Sequence, residues 1–77
     1  MKKQIVKYVQ DHIREHVDEE YLSLAWKHLG MHYPLIEAVR DAVADCLQEW
    51  EQDNDLPEDS WREYFDDEEE VFWEVEL

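Results

Sequence analysis

Two histidine pairs, one cysteine and a row of carboxylates are the side chains of this sequence with chemistry to offer. His12 and His16, and again His28 and His32, stand four residues apart. On a helix that spacing turns both rings to one side, as helical zinc sites require. The run His12-Ile13-Arg14-Glu15-His16 even spells H-x-x-E-H, the inverzincin pattern. A chain of 77 residues is too short for the active-site architecture of those peptidases, and no Cys pair or third ligand stands at metal-binding spacing. Gly30 separates the second pair. The expectation is packed or hydrogen-bonded imidazoles and no metal, which leaves metal binding by His12 and His16 as a distant third function.

Other catalytic material is sparse. The nucleophiles are Ser23, Ser60 and Cys46, and Cys46 falls on an apolar helix face, where thiols are inert. Asp53-Asn54-Asp55 opens like a calcium loop, but Glu58 and Tyr64 occupy the positions that need Gly and Glu. A single glycine cannot build a phosphate cradle. The sequence predicts no enzyme and no cofactor.

The carboxylates are patterned. Glu37, Asp41, Asp45, Glu49 and Asp53 recur every four residues. Four residues of helix rise about 6 Å, close to the phosphate spacing along a nucleic-acid strand. Like charges at that spacing oppose helix formation by roughly 0.2–0.5 kcal/mol per pair, and an ordinary solvated face mixes its signs. The row drifts around the helix by about 40° per step, which brings Glu49 to the edge of the core and puts Asp53 beyond the helix end. A second acidic feature, the run Asp66, Asp67, Glu68, Glu69 and Glu70, lies within a segment that also holds Trp61, Tyr64, Phe65, Phe72 and Trp73. Aromatics among charges either dock on the domain or anchor a partner.

The elements that must carry these groups are helices. Ile5, Val9, Ile13 and Val17 predict a first helix over residues 2–17. Asp18 as N-cap, with Glu19 and Glu20 in the first turn, predicts a second over 19–29 that buries Leu22, Ala25, Trp26 and Leu29 and stops at Gly30. Pro34 suits the first position of a third, whose apolar positions are Leu35, Ile36, Val39, Ala42, Val43, Cys46, Leu47 and Trp50. A polar loop over 52–57 follows, and Pro57 opens a short fourth helix through Phe65, with Trp61, Tyr64 and Phe65 inward. From Val71 to Leu77 both strand and helical periods fit, and alternation favours an extended, strand-like C-terminal segment. The predicted fold is all-α, a small bundle of three main helices with a short fourth.

The whole chain, residues 1–77, reads as one domain whose core is small for its size. Its charge is divided unevenly. Twenty-two acids against seven bases give a net charge of −15. Residues 1–40 balance six of each, a neutral helical hairpin, while residues 41–77 hold sixteen acids and only Arg62, so 1 − 16 = −15. Such a surface argues against direct nucleic-acid binding and against charge-driven attachment to anionic membranes. With no apolar stretch of signal or membrane-span length and a lone Cys, the expectation is a soluble, cytoplasmic protein. A homodimer is compatible with this charge only if the acids of the two copies face apart.

These features predict a small acidic protein-binding module that meets a positively charged protein surface, that of a nucleic-acid-binding protein. The carrying residues would be Glu37, Asp41, Asp45 and Glu49, the acids of 66–70, and Trp61 and Trp73. The sharpest form is a nucleic-acid mimic, an inhibitor that occupies the basic groove of a DNA- or RNA-processing protein. In small size and acidity the chain is similar to phage and mobile-element inhibitors of host defence and to other DNA-mimic proteins, a likeness of class without a motif. The alternative is a helical adaptor that binds through an apolar face, with charge serving solubility.

Overall fold

The computed structural model describes residues 1–28 and 35–75, apart from the side chain of His28. It is all-α. The helices are α1 (Lys2–His12), α2 (Glu19–His28), α3 (Glu37–Asp53) and α4 (Glu68–Glu74), with single 3-10 turns at Ile13–Glu15 and Ser60–Glu63. Leu29, Gly30, Pro34 and His32, which carried part of the sequence reading, lie outside the described residues, as do residues 76 and 77.

Helix α3 is the centre, and α1, α2 and α4 all pack on it. Its buried side, Val39, Ala42, Val43, Cys46, Leu47 and Trp50, meets Ile5, Val9 and Ile13 from the first segment, Leu22 and Ala25 from α2, and Val71 and Phe72 from α4. Burial of these side chains at ~25 cal/mol per Å² of apolar surface is the main force holding so short a chain together. Every apolar position predicted for α1 is buried, but the helix is shorter than its period implied. It tightens after His12 into the 3-10 turn, where the N–H groups of His16 and Val17 both bond to the carbonyl of Ile13. That turn keeps Ile13 in the core while redirecting the chain toward α2.

Three local differences from expectation have clear causes. Helix α3 starts at Glu37, because Ile36 is extended (ψ 137°) and its carbonyl accepts the first helical bonds, from Val39 and Arg40. Leu35 is still buried, though outside the helix. Second, Asp53 is the last residue of α3 and not beyond it. The helix closes through Asp55, whose φ of 54° is left-handed, with Leu56 N–H bonding to Glu51 O at 2.8 Å and Asp55 N–H to Gln52 O at 3.3 Å. This is a Schellman stop with aspartate where glycine is usual. Third, Glu68–Glu74 is helical where alternation favoured extended chain; Val75 (ψ 133°), the last described residue, is extended. The helix wins because it buries Val71, Phe72 and Val75 together, whereas a strand would find no edge to pair with among the described residues. The short helix expected from Pro57 to Phe65 is reduced to the turn Ser60–Glu63, which still buries Trp61 and Phe65.

Candidate acidic interface

Asp41 stands two and a half turns before Trp50 on α3 and therefore points away from the core that Trp50 enters. Glu37 and Asp45 flank it on the solvent side, and Asp45 is 59% exposed. The outer face continues with Gln48 and Gln52, both exposed. Glu37 and Asp41 form no ion pair among the described residues.

The last two acids of the row turn toward the first segment, Glu49 half-buried and Asp53 still exposed. Glu49 Oε1 lies 2.8 Å from His16 Nε2, and Asp45 Oδ2 lies 4.0 Å from His16 Nδ1. Asp53 Oδ2 accepts the Tyr8 hydroxyl at 2.7 Å. Partial burial, followed by that hydrogen bond and the nearby negative charge, pushes the Tyr8 phenol well above its ordinary value of 10.0. The row of five is thus two things: three carboxylates facing solvent and two that fasten the N-terminal segment to α3. The drift of a four-residue repeat on a 3.6-residue helix produces the split.

The acidic run 66–70 has a different job from the one its composition suggested. Asp67 is the N-cap of α4, its Oδ1 accepting Glu70 N–H at 2.9 Å, and Glu70 Oε2 accepts Asp66 N–H at 2.9 Å. This reciprocal arrangement resembles a capping box. Glu68, Glu69 and Glu70 fill the first turn, where the helix dipole favours negative charge. Glu69 also accepts Leu35 N–H at 3.2 Å and pairs with Arg40, tying α4 to the start of α3. Glu68 lies 3.8 Å from Arg62. These carboxylates start and anchor a helix, which removes most of them from a free interface.

The two tryptophans proposed as anchors part company as well. Trp61 is 4% exposed and belongs to the core, with the Arg62 guanidinium 4.6 Å from its ring centre, so it is not a surface anchor. Trp73 is 53% exposed beside Glu74 and keeps the role open. Trp26, expected inside, is partly exposed and touches Phe72 edge-on at 5.5 Å.

The histidines are occupied separately. His12 stacks on Tyr8, with centroids 4.3 Å apart, and faces Glu15, whereas His16 faces α3. Among the described residues no group of three His, Cys, Asp or Glu is placed to hold a metal ion. Burial, with Glu49 and Asp45 adding to it, pushes the Cys46 thiol up to about 12, which leaves no nucleophilic thiolate near neutrality.

One important residue escaped the sequence reading. Glu51 is a carboxylate only 3% exposed. The available signal was its place four residues after Leu47 and eight after Val43, on the flank of the buried side. No helix among the described residues is long and apolar enough to cross a membrane. Compared with known proteins, the chain matches no family model, no curated sequence and no solved structure.

Proposed function

We propose that this chain is a non-enzymatic binding module that meets a basic protein surface through Glu37, Asp41 and Asp45, and that in its sharpest form it mimics nucleic acid and blocks the groove of a DNA- or RNA-processing protein. The observation that carries this is the solvent-facing row itself, three carboxylates about 6 Å apart along the axis of the best-anchored helix. A rigid helix presents them without the entropy cost of ordering a loop. Among the described residues Glu37 and Asp41 pair with no cation and Asp45 only approaches His16 at 4.0 Å, and Glu37 and Asp41 repel each other at helical spacing. Binding would proceed by electrostatic steering and displacement of counterions from the partner's groove, and Trp73 supplies an aromatic contact at the edge.

The test is capture at low salt from the native host lysate, elution with salt, and measurement of the purified partner against duplex DNA as competitor. The triple charge reversal Glu37→Lys, Asp41→Lys, Asp45→Lys should abolish binding with the fold retained by circular dichroism. Unchanged affinity in that variant sinks the reading. A second reading, the adaptor, draws support from Tyr21 and Leu24, both exposed on α2. Under it, affinity survives high ionic strength and falls when Leu24 is replaced by a polar residue.

A further inference from the structure

We propose that the recess between the C-terminal half of α3 and the turn at Ser60–Glu63 receives one cationic side chain, a lysine or arginine, of the basic partner. This rests on the function proposed above and assigns it a second, deeper contact.

The floor of the recess carries Glu51, the one charged side chain buried among the described residues. Its Oε2 accepts the Trp61 N–H at 3.2 Å, and Oε1 makes no hydrogen bond among the described residues. A carboxylate withdrawn from water normally gathers several donors or a cation, because one long neutral bond does not replace its hydration. The walls add Glu58, Asp59 and Glu68. Four acids against Arg62 leave the lining at −4 + 1 = −3. Arg62 does not cancel the floor: its guanidinium lies over the Trp61 ring and reaches Asp59 and Glu68 only at 3.6 and 3.8 Å. Carboxylates lining a recess focus a negative potential more strongly than the same charges on an open surface.

Shape selects an organic cation over a metal ion. The recess encloses about 150 Å³, a size at which an engineered cavity holds a benzene molecule, so an ammonium or guanidinium head with its adjoining methylenes fits. The acids are too dispersed to act as three ligands of one metal. Arg62 already covers the Trp61 ring, which is 4% exposed, so the incoming head is held by the carboxylates and not by the indole face.

The test uses small probes, ethylguanidinium and n-butylammonium, titrated into the isolated chain while backbone and indole N–H resonances are followed by NMR. Saturable shifts centred on Trp61, Arg62 and Glu51 are expected, with neutral ethylurea giving none. Glu51→Gln should weaken probe binding about tenfold, whereas Glu37→Gln, with the same change in net charge, should change it less than about twofold. If Glu51→Gln fails to fold, Glu58→Gln combined with Asp59→Asn at exposed positions serves in its place. Equal losses in the recess and Glu37 variants, or shifts spread over all acids without saturation, overturn the proposal. So does Mg²⁺ or Ca²⁺ moving the same resonances at lower concentration. The probes need no partner: a recess that ignores them while the α3 row still binds its partner defeats this inference alone, and a recess that binds them while the triple reversal leaves partner affinity unchanged defeats the earlier reading.

Discussion

The acids of α3 and those at the start of α4 look alike in composition and behave oppositely. In the run 66–70 the charges are denser, yet Asp67 and Glu70 close a cap, Glu69 holds Arg40 and the Leu35 amide, and Glu68 faces Arg62. On α3 the charges are sparser, yet Glu37 and Asp41 engage nothing among the described residues and Asp45 only approaches His16 at 4.0 Å. Charge density is therefore a poor guide to a free surface; what matters is whether a carboxylate lies within reach of an unsatisfied backbone N–H or a cation. The start of α4 supplies such N–H groups to Asp67, whereas Asp41 and Asp45 lie on the outside of mid-helix turns that have none. Glu37, in the first turn of α3, caps no N–H and has only the helix dipole in its favour.

Breaking that contrast gives the largest expected effect. Reversing Glu37, Asp41 and Asp45 to Lys should weaken a basic partner's binding by more than about 100-fold, ~2.7 kcal/mol, while the melting temperature stays near its original value. On the opposite side of the same helix, Cys46 gives an alkaline signature. Its folded-state value lies above its unfolded one, so its contribution is complete below pH 9 and is lost as pH rises toward 12. Urea melts should show stability falling across that window with a slope of up to about 1.4 kcal/mol per pH unit from this group. Tyr8, raised in the same direction, adds to the fall, and Cys46→Ala should flatten the slope. At neutral pH the thiol should resist iodoacetamide until the chain unfolds.

Smaller effects sharpen the comparison. Asp67→Ala removes the cap and should cost about 1 kcal/mol, a drop of roughly 4–8 °C in melting temperature for a domain of this size, with partner affinity little changed. Asp55→Gly, which relieves a left-handed non-glycine at the end of α3, should gain about 1 kcal/mol in the same assay. Asp41→Asn should be the mildest, gaining about 0.2–0.5 kcal/mol per relieved like-charge pair while reducing binding.

Much of the fold was legible because helical period and burial coincide. Ile5, Val9, Ile13, Val39, Val43 and Leu47 stand where a 3.6-residue repeat puts them, and all are buried. The tail was misread because Val71, Trp73 and Val75 alternate as well as they spiral. The packing of α4 against α3 and α1 decides that Phe72 goes in and Trp73 stays out. Trp61 had two readings, inward on the short helix after Pro57 and outward as a partner anchor, and its burial decides for the first. Of the candidate site, the drift of the acidic row was readable from 3.6 residues per turn, but the partners that claim Glu49 and Asp53 come from His16 and Tyr8, more than thirty residues away in sequence.

By itself, then, the sequence determined the helical class, the buried side of each long helix and the location of the negative charge, because those follow from local periodicity and composition. Tertiary structure alone decided which carboxylates remain free. Ion pairs, caps and the burial of Glu51 depend on groups brought within about 3–4 Å by packing, and no spacing along the chain encodes such proximity.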